Sequence, residues 1–180
     1  MQRVLLVLLL AIIALSACDQ AAPVPPPAPS LVGDRGPVFK AGLQTLDGKW
    51  TTLVAFEGKP MLIEVWATWC GPCRTARTRL AAHHDELVSI ATLVGVSVDQ
   101  GGPAVVKSFL EKNPMEGMHE YMMTNAFRAL LAPYDRSNTI PKFIYVSPEG
   151  NIVDVAYGVP NPVFTIAFLK NLAQTRVSGE

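Results

Sequence analysis

The chain has 180 residues, no formal net charge and a composition that is 49% hydrophobic. This length suits one domain with appendages, and so apolar a chain cannot be disordered throughout. Lysine and arginine form no run, which argues against a nucleic-acid-binding or polybasic membrane surface and leaves enzymes and partner-binding modules open.

Residues 1–17 have the features of a bacterial lipoprotein signal peptide. Residues 4–15 are apolar without interruption, which is too short for a membrane span and typical of a signal-peptide core. The stretch ends in Leu-Ser-Ala-Cys, which resembles a lipobox, so Cys18 is predicted to be lipidated and to become the mature N-terminus. The alternative is ordinary cleavage after Ala17. Asp19 resembles an inner-membrane retention signal, which favours the inner membrane over the outer one.

A tether and a globular head are predicted to follow the signal peptide. Residues 18–35 contain the lipidated cysteine and a segment dominated by proline and alanine, which is expected to be extended and semi-rigid. The head is predicted to occupy residues 36–176, with a tail at residues 177–180. Such an arrangement implies a domain that works near a membrane but has room to meet partners.

The head is predicted to alternate strands and helices. In chain order the predicted elements are strands at 38–39, 43–46 and 50–54 around a turn at 47–48, a strand at 61–66, a helix at 72–87, a strand at 92–98, helices at 105–111 and 125–131, strands at 143–146 and 152–156, and a helix at 163–174. Phe164, Phe168 and Leu172 form the predicted apolar face of the last helix. The pattern indicates an α/β sandwich, in which the first strand–helix–strand unit makes its two strands parallel.

Two cysteines stand two residues apart in the segment EVWATWCGPC, residues 64–73. A structural staple is the weakest interpretation of Cys70 and Cys73, because so small a loop constrains the unfolded chain little. A structural zinc site needs four ligands and only one Cys-x-x-Cys is present. His83 and His84 lie too far along the predicted helix to close on Cys70, and they are expected to be exposed. A redox pair is therefore favoured, and no metal or other cofactor is predicted.

The position of the pair, between a strand and a helix, favours a thiolate. Cys70 is predicted to lie at the helix N-terminus, where unsatisfied N–H groups and the helix dipole stabilise negative charge. Cys73 lies nearly one turn further on and deeper, so Cys70 is the predicted attacking thiol and Cys73 the resolving one. Gly71 allows a partner's backbone to approach, and Pro72 suits a first helical turn.

The segment WATWCGPC resembles the active site of thioredoxin-like proteins. The signal peptide, tether, N-terminal hairpin and intervening helix further resemble the membrane-anchored periplasmic thiol-disulfide oxidoreductases of the TlpA and ResA type. The resemblance implies a thioredoxin-like fold, with a central mixed sheet flanked by helices and an N-terminal β-hairpin extension. It also implies a disulfide-bearing periplasmic client, and a membrane thiol donor that recharges the pair. The Gly-Pro dipeptide is that of thioredoxin, at the reducing end of the potential scale at ~−270 mV, so a reductase is predicted.

The resemblance assigns roles to four more residues. Glu64 stands where thioredoxins carry a buried aspartate, which implies proton exchange with Cys73; the alternative is an edge residue that reaches solvent or a lysine. Pro141 matches the family's cis-proline beside the cysteines, against the alternative of a trans turn proline. The backbone of Ile140 is expected to pair with a substrate strand. Trp69 is expected to be partly exposed at the docking face, whereas core packing is favoured for Trp66.

Two positions depart from the cytochrome-maturation members of the family. Those members often carry an acid where this chain has Ala76, and a glutamate where it has Lys142. These departures argue against apocytochrome c as the client. Lys142 is expected either to favour the Cys70 thiolate electrostatically or to be a solvated surface lysine.

A methionine-rich stretch supports a competing hypothesis from another class. Within PMEGMHEYMM, residues 114–123, the potential soft ligands are Met115, Met118, His119, Met122 and Met123. Thioether and imidazole groups suit Cu(I), so the alternative function is a Cu(I)-binding module or a redox partner of a copper protein. The competing interpretation is that these methionines fill core gaps or form an adaptable docking surface. A third hypothesis, an inert tethered binding domain, is disfavoured by the intact cysteine pair.

Overall fold

The computed structural model of this protein describes residues 35–174. The predicted signal peptide, Cys18, most of the tether and the tail at 177–180 lie outside the described residues, so the predicted boundaries stay predictions. Within the described range, none of the helices combines the length and apolar character needed to cross a bilayer.

Residues 35–174 form six α-helices, seven strands and one short 3₁₀ helix. In chain order they are α1 (Pro37–Lys40), β1 (Leu43–Thr45), β2 (Trp50–Thr51), the 3₁₀ helix (Val54–Phe56), β3 (Met61–Trp66), α2 (Gly71–Ala81), α3 (His84–Ile90), β4 (Thr92–Ser97), α4 (Pro103–Lys112), β5 (Met118–Met122), α5 (Asn125–Leu131), β6 (Lys142–Val146), β7 (Ile152–Tyr157) and α6 (Pro162–Gln174).

The strands make a single mixed sheet in the order β2-β1-β5-β4-β3-β6-β7. Strand β3 lies at one edge of the parallel part, next to the antiparallel β6, and pairs parallel with β4 over its full length, as predicted for the first strand–helix–strand unit. Strand β4 pairs parallel with β5, while β6 and β7 are antiparallel to their neighbours. The N-terminal hairpin β1–β2 turns at Gly48, whose φ is +79°, and extends the sheet beyond β5. The mixed sheet flanked by helices and the hairpin extension are confirmed.

The alternation of side chains along β3 separates two apolar layers. Met61, Ile63 and Val65 face a core that α1 and α5 cover. Leu62 faces the opposite layer, which α2, α3 and α6 cover. All six residues of β3 are buried, as a strand covered on both faces requires.

In the N-terminal half of the fold, two predicted elements differ from those in the structure. The strand predicted at 38–39 is a short helix, α1, because Pro37 fixes a helical first position and both apolar residues turn into the core. The single helix predicted at 72–87 is broken into α2 and α3. Helix α3 restarts at His84 with Asp85 and Glu86 in its first turn, where acidic side chains favour a helix N-terminus.

Two further expectations were wrong nearer the C-terminus. The sequence pattern predicts no strand in the methionine-rich stretch, yet residues 118–122 form β5 between β1 and β4. In α6 the buried side chains are Thr165, Ile166, Leu169 and Leu172, whereas Phe164 is 72% exposed. The predicted apolar stripe is therefore rotated: Phe168 packs its ring 4.8 Å from that of Tyr145, but Phe164 points to solvent.

Candidate active site

Cys70 and Cys73 are joined by a disulfide where β3 gives way to α2. Cys70 is the N-cap residue of α2 and its sulfur accepts a hydrogen bond from the Cys73 backbone N–H, 3.1 Å away. Gly71 and Pro72 form the first turn of α2. Proline is tolerated there because a backbone N–H in the first turn has no partner within the helix. Cys70 is 4% exposed and Cys73 is fully buried, so the outer and inner positions are those predicted for the attacking and the resolving thiol.

A network from the end of β4 braces the loop before Cys70. The buried Asp99 carboxylate accepts hydrogen bonds from the Thr68 N–H at 2.9 Å and from the Thr68 hydroxyl at 2.6 Å. It also accepts one from the Ser97 hydroxyl at 2.7 Å. The Arg74 guanidinium donates to the Thr68 carbonyl at 2.9 Å. Sequence reasoning missed these residues, although a carboxylate directly after a parallel strand is a signal for the functional edge of a sheet.

The peptide bond between Ile140 and Pro141 is cis, as the resemblance implied. Ile140 packs against the cluster that contains both cysteines and Trp66. The structure therefore brings Pro141 and the cysteine pair to the same end of the sheet.

A groove of about 310 Å³ opens beside this proline. It is lined by apolar residues that include Trp69, Val98 and Met123, and by the charged residues Arg128, Asp135 and Lys142. Trp69 is 68% exposed next to Cys70, and Trp66 is fully buried, so the predicted exposure of the first and burial of the second are confirmed, while a docking role for Trp69 stays a prediction. The groove provides an apolar floor with a polar rim, which suits an extended peptide.

Glu64 lies at the middle of β3 and is completely buried. Its closest charged neighbour is Arg77 of α2, whose Nε atom lies 2.9 Å from the Glu64 Oε2 atom. Burial raises the pKa of Glu64 to about 7, and Arg77 offsets only part of that shift. The alternative of an edge residue that reaches solvent is wrong. Cys73 and Arg77 are four residues apart on the buried face of α2, which places the inner cysteine one helical turn from the partner of Glu64.

Arg77 and Glu120 complete a buried ionic cluster that the sequence did not reveal. Arg77 donates to Glu120 at 2.7 Å and 3.3 Å, and the Trp66 indole N–H donates to the same carboxylate at 3.1 Å. The signal for Arg77 was its spacing from Cys73 on the buried helix face. The signal for Glu120 was a polar residue between Met118 and Met122 in an alternating strand, which required β5 to be recognised.

Lys142 is buried, so the interpretation as a solvated surface lysine is wrong. Its ammonium group contacts the Asp135 carboxylate and donates to the Ser137 carbonyl at 2.8 Å. Burial alone would raise the pKa of Asp135, but hydrogen bonds from Lys142 and the Ser137 N–H outweigh it and lower that pKa. The positive charge of Lys142 is thus already matched by a carboxylate.

Comparison with known proteins places the chain in a family. A profile of the AhpC/TSA family matches residues 32–155, which is more than half of the chain. The chain belongs to the AhpC/TSA family. Within this family it is a thioredoxin-like protein of the TlpA and ResA type: it is 28% identical over 117 residues to "Thiol-disulfide oxidoreductase ResA" of Bacillus subtilis. That match covers 64% of this chain and 63% of the relative, so the chain spans less than two thirds of the relative's length.

Similarity to solved structures shows that this chain has a thioredoxin-like fold. StoA from Bacillus subtilis superposes with a TM-score of 0.53 at 20% identity, covering 74% of this chain and 95% of that one. The exposed lipoprotein thioredoxin Etrx1 from Streptococcus pneumoniae superposes with a TM-score of 0.60 at 19% identity, covering 72% and 97%. The predicted fold class is confirmed.

The methionines of the AhpC/TSA domain are dispersed rather than gathered. Met115 and Met118 pack against the layer under α2 and α6, while Met122 packs with Trp66 and the cysteines. Met123 packs on the opposite side of the sheet, and the His119 ring lies 4.5 Å from that of Phe56. This placement favours packing, and copper binding stays a prediction.

The two histidines after the active-site helix are not fully exposed, so that expectation was wrong. His83 is the half-buried residue before α3, and His84 is half-buried with its Nδ1 atom 2.9 Å from Asp85 Oδ1.

Proposed function

We propose that this protein is a thiol-disulfide oxidoreductase that reduces disulfides of partner proteins in the periplasm. The observation that carries the proposal is the Cys70–Cys73 pair, set between β3 and α2 beside a cis-proline and above a buried carboxylate. In the reduced protein the Cys70 thiolate attacks a client disulfide, forms a mixed disulfide and releases one client thiolate.

Cys73 completes the exchange. It passes its proton to the Glu64 carboxylate, attacks the Cys70 sulfur and breaks the bond between Cys70 and the client. The client disulfide gains two electrons and leaves as two thiols, while Cys70 and Cys73 become the disulfide seen in the structure. A membrane thiol donor then reduces the pair again.

The groove beside Pro141 is the proposed client site. A client strand lies across Trp69 and Gly71 and pairs with the Ile140 backbone, and the missing donor of Pro141 lets the strand approach closely. The helix N-terminus at Cys70 favours the thiolate there, and the buried Cys73 is kept from competing disulfides. Lipidation at Cys18 would hold this site at the periplasmic face of the inner membrane.

Equilibration of the pair with glutathione or dithiothreitol redox buffers tests the direction of the reaction. A reduction potential near the thioredoxin value of ~−270 mV supports a reductase. A value near ~−120 mV reverses the direction to an oxidant and contradicts the proposal.

Trapping of mixed disulfides tests the roles of the two cysteines. A Cys73→Ser variant is expected to accumulate adducts with client proteins, because Cys70 attacks and nothing resolves the product. The matched Cys70→Ser variant is expected to accumulate few. Equal trapping by both variants, or trapping by Cys70→Ser alone, would contradict the assignment of Cys70 as the attacking thiol.

A further inference from the structure

Two buried carboxylates approach the same guanidinium beneath α2. Glu64 of β3 and Glu120 of β5 both have Gly95 of β4 as their register partner, so the two acids lie in one row across three parallel strands and point to the same side of the sheet. Arg77 lies between them with 7% of its surface exposed. Gly95 makes the arrangement feasible, because a Cβ atom there would overlap the Glu120 carboxylate and lie 2.8 Å from Arg77 Nη2.

The Arg77 guanidinium donates hydrogen bonds to Glu120 but only forms an ion pair with Glu64. Both Nη atoms of Arg77 donate to Glu120, which gives a bidentate, charge-assisted pair. The Nε atom lies 2.9 Å from Glu64 but does not meet hydrogen-bond geometry, and neither Glu64 oxygen accepts a hydrogen bond from the described residues. Trp66 secures the unequal arrangement, since its N–H donates to Glu120 and its ring lies 3.5 Å from the guanidinium carbon.

This geometry determines the charge around Glu64. The charged groups that act on Glu64 are Arg77 and Glu120, and Cys73 lies one turn before Arg77 on the buried face of α2. Its register neighbours on the adjacent strands, Gly95 and Phe143, carry no charge. Because Glu120 offsets part of the attraction of Arg77, ionising Glu64 as well would leave a buried cluster of two carboxylates and one guanidinium with a net negative charge, and burial therefore favours the neutral form of Glu64.

We propose that Glu120 is a positioning residue for thiol–disulfide exchange: by holding Arg77 in a two-oxygen pair, it leaves Glu64 able both to accept a proton from Cys73 and to give it up again. The inference rests on the proposed function, in which Glu64 exchanges that proton. Without Glu120 the full charge of Arg77 would stabilise the Glu64 carboxylate and make it a weaker base.

A cavity beside the cluster supplies a route for proton exchange with solvent. It has a volume of about 280 Å³ and lies between α2 and the segment that follows α4. Arg77, Thr78, Phe109 and Met115 are among its lining residues, so water can reach the arginine side of the cluster.

Glu120→Gln tests the proposal, because it keeps the shape of the side chain and removes its charge. The readouts are the pH profile of single-turnover oxidation of the reduced protein by glutathione disulfide, and the carboxylic-acid C=O infrared band that Glu64→Gln abolishes. We expect the midpoint of the band and of the profile to move down by about one pH unit or more. The matched control is Glu116→Gln, which removes an exposed charge two residues before β5 begins. It is expected to leave both midpoints unchanged.

A double variant separates this inference from the proposed function. If Glu64→Gln leaves the wild-type profile unchanged, the proton role of Glu64 fails. If Glu64→Gln changes the profile and Glu120→Gln does not, only the role of Glu120 fails. An equal shift by Glu120→Gln in the Glu64→Gln background would also overturn it, because Glu120 would then act without Glu64.

A measurement on the wild type keeps the proposal falsifiable if Glu120→Gln does not fold. The Glu64 infrared band of the wild type is expected to persist well above pH 5. A band confined to lower pH would show an ordinary carboxylate and would overturn the proposal.

Discussion

Burial of Glu64 affects both its ability to exchange a proton and the stability of the folded protein. A carboxylate that no water reaches is favoured as the neutral acid, and burial raises its pKa to about 7 from a reference value of 4.5. Such a group suits proton exchange near neutral pH. It also means that the folded protein holds a proton that the unfolded chain releases.

The stability of the oxidised protein is therefore expected to depend on pH through Glu64. Because its pKa is raised on folding, the folded state binds more protons than the unfolded state between about pH 4.5 and pH 7, and the free energy of unfolding falls as pH rises through that window. Relative to Glu64→Gln, the wild type is expected to lose on the order of 3 kcal/mol across it.

Urea unfolding of both proteins at pH 4.5 and at pH 8 measures this difference. Glu149→Gln, which removes an exposed carboxylate, is the matched control and is expected to track the wild type. If the stability difference between wild type and Glu64→Gln were the same at both pH values, Glu64 would have an ordinary pKa.

At the scale of elements, periodicity predicted the strands and helices whose apolar residues face one core. The buried run at 61–66 and the helix at 125–131 have the observed bounds, since each combines a regular pattern with a clear start or stop. Strand β5 was missed because its inward-facing position 120 carries a glutamate that is paired with Arg77, so the strand does not show a simple alternation of apolar and polar residues. Contacts between residues far apart in the chain decided that element.

The residues of the active site also fall into a group that the sequence predicted and a group that it did not. The positions of the cysteines and of Glu64 were predictable from the segment at residues 64–73, and the cis bond at Pro141 from the resemblance to thioredoxin-like proteins; their roles stay predictions. Arg77 and Glu120 were not, because their roles depend on the register of three strands and a helix. Asp99, just after β4, holds the loop before Cys70; its place after a strand was a signal, but its bond to Thr68 depends on how two neighbouring strands end together.

Gly95→Ala is expected to lower the stability of the protein by disrupting the row that Glu64, Gly95 and Glu120 form across β3, β4 and β5. The new methyl group would overlap the Glu120 carboxylate in a tightly packed layer, and over-packing of this kind costs about 1–3 kcal/mol. Gly42→Ala is the matched control, because its nearest neighbour would be a Trp50 carbon at 3.8 Å, an ordinary contact. Chemical unfolding of both variants measures the difference, and equal stabilities would mean that the row does not need the glycine.

At the scale of the whole molecule, the proposed position of the active site beside the membrane rests on the predicted lipidation of Cys18. In the proposed function, the predicted lipid on Cys18 is what attaches the protein to the membrane. Acyl chains contribute about 0.8 kcal/mol for each buried methylene group, which a protein surface of mixed polarity does not replace.

Cys18→Ser is expected to release the full-length protein from the membrane fraction into the soluble fraction of lysed cells, because the lipid is then not attached. Immunoblotting of the two fractions after a high-salt wash measures the release. Cys70→Ser is the matched control: it removes a thiol from the active site, leaves Cys18 in place, and is expected to stay with the membrane. Retention of Cys18→Ser in washed membranes would contradict the lipid anchor, whereas the redox chemistry of the Cys70–Cys73 pair would be unaffected, since the two sites are separated along the chain by the proline-rich tether.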